Sequence, residues 1–525
     1  MSQPKPDPAA PWKPSHNPWL IAVSVMLATF MEVLDTSVAN VALPHIAGSL
    51  AASTEESTWV LTSYLVSNAI ILPISGWLGS HFGRKRLLLF CIVLFTVSSA
   101  LCGAAFSLGF LIIARILQGI GGGALQPISQ AVLLESFPPD KRGQGMAVFA
   151  MGVVVAPILG PTLGGWITDN YSWRWIFYIN LPVGALALLM SHAFVEDPPY
   201  IRRIRDGIDY IGFGLLALWL SSLQIILDKG QEEDWFASRF IFWLAVLSIA
   251  SFVGFIVREL TAPEPIVNLR ILKNRNFAVG IALMAVVGGV LYGTTAALPL
   301  FLQTLIGFPA LQSGLALSPR GIGAFATTIL VGRLIGVVSN RVMIILGFFL
   351  LSISSFLLGR VTLEVGMAYI IWPTILNGIA ISFIFVPLTT ATMGHLKQEQ
   401  ISNATGIFNL MRNLGGSVGI AVLTTILARR QQVHQAMMVS HLTPFDPAFQ
   451  QSLQGTQAAL NAQSGSWLAH LQAQSLIYAN LGKQAVLWAF VDNFRLFGAL
   501  CVLCIPLGLL FKKVARVRGG GIPAH

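Results

Sequence analysis

The sequence predicts an all-α membrane protein with fourteen spanning helices, and three observations carry that reading. Hydrophobic residues make up 55% of the chain and charged residues only 10%, with a mean hydropathy of +0.72; soluble domains run at roughly 25% charged. Apolar stretches of about 20 residues, the length that crosses a hydrocarbon core of roughly 30 Å, follow one another along the chain. Lys and Arg gather in alternate connecting segments. The net charge of +10 is parcelled between apolar runs rather than laid on one soluble face, so no nucleic-acid partner is expected.

The predicted spans are 19–43, 59–78, 87–106, 110–134, 145–167, 175–194, 210–227, 240–257, 277–298, 314–334, 342–358, 367–393, 404–428 and 486–511. The first is longer than a signal-peptide core and carries Glu32 and Asp35, so it is expected to remain as a spanning helix behind a polar, Pro-rich tail. An even number of spans puts both termini on one side. Of the 32 Lys and Arg, 21 fall in the tails and segments on that side, among them Arg84, Lys85, Arg86, Arg202, Arg203 and Arg205. Seven fall on the other side. The positive-inside rule then places both termini in the cytoplasm.

Asp35 is the costliest residue of the first span. A charge at the bilayer centre costs roughly 3 kcal/mol on insertion scales, so an intramembrane acid is a candidate for proton or substrate handling; the alternative is a carboxylate that only packs against a neighbouring helix. Glu32 stands one turn earlier, within about 60° of the same face. A rise of about 1.5 Å per residue puts Asp35 roughly 24 Å along its helix, in the outer half, at the depth of Arg115 in the fourth span. Asp35 and Glu32 are therefore candidates for proton coupling.

No nucleophile and base pair or metal-ligand spacing is visible, so an enzyme is not expected. Nor is a cofactor: Gly119-x-Gly121-x-x-Ala124 mimics a dinucleotide loop but sits inside a span with no strand before it, and no Walker sequence occurs. The four cysteines, Cys91, Cys102, Cys501 and Cys504, lie in apolar runs and are expected to be packing residues.

The turn between spans two and three reads Gly76-Trp77-Leu78-Gly79-Ser80-His81-Phe82-Gly83-Arg84-Lys85-Arg86. It resembles motif A of the major facilitator superfamily, with Ser80 where the pattern carries an Asp. A weaker echo, Gly332-Arg333-Leu334 to Asn340-Arg341, follows span ten, as a duplicated six-helix unit would place it. Arg115-x-x-Gln118-Gly119-x-Gly121-Gly122-Gly123 is similar to motif B, whose intramembrane Arg lies close to the proton path. The resemblance also implies that spans one and four border one central cavity, so Asp35 and Arg115 are expected close enough to couple, and Arg115 joins the candidates for proton coupling. In span five, Gly152, Ala156, Gly160 and Gly164 recur every fourth residue, a face that permits close backbone approach. Pro157 and Pro161 favour a kink there. The stretch from Ala156 to Gly165 is similar to motif C, the antiporter signature.

The Leu34–Pro44 segment, the Ser172–Pro182 segment and the Gly406–Gly419 stretch resemble fourteen-spanner drug:proton antiporters of the EmrB type. That resemblance implies the major facilitator fold with 6+2+6 helices. Its parts would be a tail at 1–17, an N-terminal bundle at 18–195, two linker spans within 196–260, a C-terminal bundle at 261–511 and a tail at 512–525. It implies export of hydrophobic, often cationic drugs against proton entry across a bacterial inner membrane. A narrow metabolite or siderophore exporter of the same fold, or a transport-like receptor, remains an alternative. Gly76, Gly83, Arg84, Gly152, Pro157, Gly160, Pro161 and Gly164 are the expected gating positions.

Tyr292, Gln303, Asn377, Phe383, Phe385, Asn409, Arg412 and Asn413 are the polar and aromatic candidates to line an otherwise apolar substrate cavity. Arg412, roughly 14 Å into its span, needs a partner for its charge. Between spans thirteen and fourteen, residues 429–485 form the one sizeable extramembrane segment, with amphipathic helices predicted at about 449–461 and 466–481. The resemblance makes this segment the candidate dock for an EmrA-type periplasmic membrane-fusion adaptor and, through it, a TolC-type outer-membrane channel.

Overall fold

Helix after helix is delimited by local chemistry that the sequence carries openly. In the computed structural model, which describes residues 14–138, 141–198, 209–263, 265–335, 337–394, 396–464 and 466–511, Asn17 caps the first helix by accepting from the Trp19 N–H (3.0 Å). Pro18 occupies the first helical position, where its missing N–H costs nothing. Ser53 and Glu56 form a reciprocal capping box at the start of the second. Gly83 separates the second helix from the third at φ +92°, where a Cβ would also strike the Asp197 carboxylate. The tails beyond residues 14 and 511 and the basic residues Arg202, Arg203 and Arg205 lie outside the described residues.

The helices are α1 (Pro18–Ser49), α2 (Thr54–Phe82), α3 (Arg84–Gly103), α4 (Leu108–Gly123), α5 (Leu125–Ser136), α6 (Arg142–Asn170), α7 (Trp175–Tyr178), α8 (Asn180–Phe194), α9 (Tyr210–Lys229) and α10 (Arg239–Thr261). They continue with α11 (Arg275–Phe301), which runs into a π-turn at Leu302–Ile306, then α12 (Ala310–Leu334), α13 (Asn340–Leu358), α14 (Met367–Met393), α15 (Gln398–Val439), α16 (Pro447–Ser464) and α17 (Ser466–Gly508). Among the described residues thirteen helical stretches are long and apolar enough to cross a membrane, and the bent α6 makes a fourteenth. The fourth span breaks at Ala124, directly after the Gly121–Gly123 run.

The C-terminal end of α2 meets the start of α15 at Gly76, and the start of α6 meets Ile335 just past α12 at Gly143, so these helix ends lie at one end of the bundle, here the basic end. From the opposite end α15, α16 and α17 project as a helical hairpin. Helix α1 packs on α6, α2 on α4, α11 on α15 and α12 on α14, so the pairing of the first helices recurs in the second set. The two sets meet where α2 lies on α15, α6 on α12 and α5 on α15. Helices α9 and α10 pair with each other, and α9 touches both α2 and α15.

Small residues set the closest approaches. A Cβ on Gly152 would press on Met26 of α1, on Gly160 it would meet Ser37, and on Gly164 it would meet Val38. The same device joins α11 to α15, where Gly288 sits on the backbone of Arg412 and Gly415 on that of Ala285. Helix α6 bends by 40° between Arg142–Pro157 and Leu159–Asn170. Pro161 has no N–H to give the carbonyl four residues back, and that carbonyl, on Pro157, accepts instead from Ser37 Oγ of α1 (3.0 Å). The bend and the α1 contact are thus one feature.

One sequence expectation needs correction. The predicted helix at 449–461 falls within α16, but 466–481 is not a separate helix: α17 runs unbroken through it into the last span. The segment joining them, Gly482-Lys483-Gln484-Ala485, holds no proline, and a lone glycine costs only about 1 kcal/mol in a helix. Helix α15 likewise overruns its predicted end. At 42 residues it is about 63 Å long, twice the thickness of a hydrocarbon core, and it stops at the Pro444–Pro447 break, where Asp446 caps α16 through the Ala448 N–H (2.9 Å).

Packing along α6 makes a direct prediction. Gly160→Val, which presses on Ser37, should destabilise the purified protein by about 1–3 kcal/mol in a thermal melt. Gly165→Val, with open space around it, should melt as the parent does.

Candidate functional site

Two carboxylates on α1 are met by two different sets of partners. Asp35 is 1% exposed and Arg115 is fully buried; Arg115 reaches across from α4 to place a guanidinium nitrogen 2.6 Å from Asp35 Oδ2. Gln118 Nε2 (2.9 Å) and Asn180 Nδ2 (2.7 Å) donate to the other carboxylate oxygen. Arg115 also donates to the Val60 carbonyl (3.1 Å) and to Gln118 Oε1 (2.8 Å). Its charge is therefore compensated and its donors largely placed, which is what a buried ion pair requires.

Glu32 has no cation in direct contact. It accepts from the Tyr64 hydroxyl (3.1 Å), from Asn68 Nδ2 (3.2 Å) and from Gln126 Nε2. Three neutral donors thus hold a buried carboxylate, and Tyr64 links it to the first cluster because Arg115 lies over its ring at 4.3 Å. Gln126 turns its carbonyl oxygen to Arg412 of α15, a buried cation of the other half. The result is a continuous polar chain, Asp35–Arg115–Tyr64–Glu32–Gln126–Arg412, crossing from one helix set to the other.

Further polar bonds cross the same seam. Asn409 Nδ2 donates to Gln130 Oε1 (2.7 Å) and Asn413 Nδ2 to Asn68 Oδ1 (3.4 Å). Tyr292 stands near Arg412 and Glu32, within electrostatic reach of both, and Phe385 of α14 stacks on Phe149 of α6 with ring centroids 6.3 Å apart. At the basic end Gly76 rests on the backbone of Ser402 and Asn403 of α15, and Gly143 faces Ile335. Arg84 pairs with Glu135 of α5. Ser80, in the place of an acid, only bonds back to the Gly76 carbonyl (3.0 Å).

The predicted residues therefore separate by position. Asp35, Arg115, Glu32, Tyr292, Phe385, Asn409, Arg412 and Asn413 gather at or beside the seam. Gln303 does not: it is exposed on the π-turn that ends α11. Asn377 lies inside the second set, lining a void of about 10 Å³ with Arg320 and Thr374, and Phe383 is half-buried against the core. Tyr64, Asn68, Gln126 and Gln130, which the sequence reading passed over, carry the network. Their signal was present as polar pairs four residues apart inside apolar spans, Tyr64 with Asn68 and Gln126 with Gln130, which places each pair on one helix face.

Comparison with known proteins gives the family. The profile of the Major Facilitator Superfamily matches residues 25–420. The chain belongs to that superfamily. It is 38% identical over 489 residues to the multidrug export protein EmrB of Haemophilus influenzae, covering 92% of this chain and 94% of that one. To EmrB of Escherichia coli K12 it is 36% identical over 508 residues, 96% and 98% of the two chains. The fatty acid resistance protein FarB of Neisseria gonorrhoeae is 37% identical over 95% of this chain and 97% of its own. Within the superfamily, the chain thus belongs with the EmrB multidrug exporters; it is a multi-pass membrane transporter and not an enzyme. The human organic anion transporter TETRAN shares the fold, with a TM-score of 0.59 at 15% identity over 93% of this chain and 100% of its own.

Taking one member from a buried pair leaves the other charged and unpaired, at a cost of about 3–5 kcal/mol. Asp35→Asn and Arg115→Gln should each lower the thermal midpoint of the purified transporter, and the double variant should lose less than the sum of the two. Strict additivity would contradict direct pairing.

Proposed function

We propose that this transporter exports hydrophobic, often cationic drugs across a bacterial inner membrane in exchange for protons, by alternating access between units 18–195 and 261–511, with α9 and all but the last residue of α10 in the linker 196–260. The observation that carries this reading is the Glu32–Gln126–Arg412 link: an intramembrane carboxylate holds, through one amide, a buried cation of the opposite half. A protonated Glu32 accepts fewer of its three donors, so Gln126 loses its seat and Arg412 its tether. The seam at the basic end can then part. Asp35 and Arg115 form the second element of the coupling, joined to Glu32 through Tyr64.

The charge rule puts the basic end and both termini in the cytoplasm. Each proton entering from the other side supplies roughly 2.3 kcal/mol per 100 mV and about 1.4 kcal/mol per pH unit, enough for drug accumulation without ATP. Tyr292, Phe385, Asn409, Arg412 and Asn413 line the surface the drug would meet as the halves separate. Asn377, Phe383 and Gln303 stand further from that surface. The glycines and prolines of α6, with Gly76, Gly83 and Arg84 at the basic end, supply the close contacts that must slide or part. The α15–α17 hairpin is the proposed dock for a membrane-fusion adaptor leading to an outer-membrane channel. The whole-length similarity to EmrB proteins supports the drug-export reading.

Everted vesicles carrying the protein, given a proton gradient and a fluorescent lipophilic cation, should take up the dye. Glu32→Gln and Asp35→Asn should abolish gradient-driven uptake. Normal uptake by both variants would remove the carboxylates from the coupling path.

A further inference from the structure

A groove of about 730 Å³ opens on the flank of the first helix set, near the basic end. Its walls are Ile74 and Leu78 of α2, Leu87 and Phe90 of α3, Ile120 of α4 and Phe213 of α9. None of its lining residues belongs to α11–α17, so it faces away from the seam described above. Phe90 is 60% exposed and Tyr210, at the rim, 73%, which leaves the groove open sideways toward the bilayer. The volume suits a single apolar ligand of drug or acyl-chain size.

Among the described residues, one positive charge at its mouth has no counter-ion. Of the three adjacent basic residues, Arg84 pairs with Glu135, and Lys85 donates through Nζ to the His192 carbonyl (2.7 Å) while its N–H meets Asp197. Arg86 is exposed and has no hydrogen-bond or ion-pair partner among the described residues. Beside it His81 stacks on Trp77, ring centroids 5.0 Å apart, with its Nδ1 buried and unpartnered. An apolar slot with a free guanidinium, an imidazole and rim aromatics at helix-end depth matches one amphiphile: an acyl chain under an anionic headgroup.

We infer that this groove holds an anionic phospholipid of the adjoining leaflet, one acyl chain lying between α3 and α9 and the phosphate on Arg86. The site has a mechanical consequence. Helix α9 is pinned to α2 at its far end, where Lys229 Nζ donates to Thr58 Oγ1 (2.5 Å) and Asp228 accepts from Thr62. It also reaches α15, where Ser417 Oγ donates to Gln224 (3.0 Å). The lipid fills the gap at the near end and so fixes how α9 bridges the two helix sets.

The test is native mass spectrometry of the full-length protein in mild detergent, titrated with phosphatidylglycerol or phosphatidylcholine. Phosphatidylglycerol should be retained in preference. Arg86→Gln should weaken that retention about fivefold, the worth of one basic residue against an anionic headgroup, and weaken the net-neutral phosphatidylcholine less, so that the preference shrinks; Arg86→Lys should restore it. Leu78→Trp, which fills the groove, should weaken both lipids while the thermal midpoint stays at the parent value. Equal retention of phosphatidylglycerol by the parent and Arg86→Gln, or by a normally melting Leu78→Trp, overturns the assignment.

Discussion

A carboxylate inside a membrane helix must have its charge answered, and the arrangement of this transporter follows from answering two of them on one turn of α1. Asp35 is answered outright: a guanidinium at 2.6 Å and two amides close its shell. Glu32 is answered by neutral donors, one of which is shared with a cation on the other half of the molecule. The first solution is rigid and belongs to one helix set. The second spans a boundary, so its strength depends on whether the halves are together and on whether the acid carries its proton. A hydrogen bond to a charged group contributes about 1.5–3 kcal/mol against 0.5–1.5 for a neutral one, so a single protonation changes that boundary by an amount comparable to the work one proton brings.

The rest of the fold brings backbones close enough for these short polar side chains to reach. Gly152, Gly160 and Gly164 let α6 lie on α1, and Gly288 and Gly415 do the same for α11 and α15, directly behind Arg412. The Pro161 bend leaves a carbonyl that Ser37 takes up, tying the kinked helix to the one that carries both acids. Gly76 gives the basic end a backbone-to-backbone contact between halves, on Ser402 and Asn403. Such contacts depend on shape and can part without leaving charges exposed.

How much of this could be read in advance depends on which signal each feature leaves in the chain. Span count and order followed from apolar length, since the bilayer imposes a fixed ruler. The nearness of Asp35 and Arg115 followed from depth along two helices together with the family resemblance. The unbroken run of α17 into the last span did not follow: amphipathic spacing marks a helix face, but only a strong breaker marks an end, and no proline lies between 466 and the last span. Tyr64, Asn68, Gln126 and Gln130 escaped because an amide or phenol in a span is cheap enough to be a packing residue; only the facing helix shows that these four point at Glu32 and at α15. Gln303, polar by sequence like the others, stands exposed on the π-turn that ends α11, a placement that polarity alone does not reveal.

The central claim is that the proton on Glu32 governs whether the halves stay joined at the basic end. Pulsed electron–electron double resonance between spin labels on the basic ends of α2 and α15, recorded across pH, tests it most directly. The account predicts that the distance widens as pH falls in the parent protein, and that Glu32→Gln, which mimics the protonated acid, is already wide and no longer responds. A Glu32→Gln protein that opens and closes with pH as the parent does would contradict it.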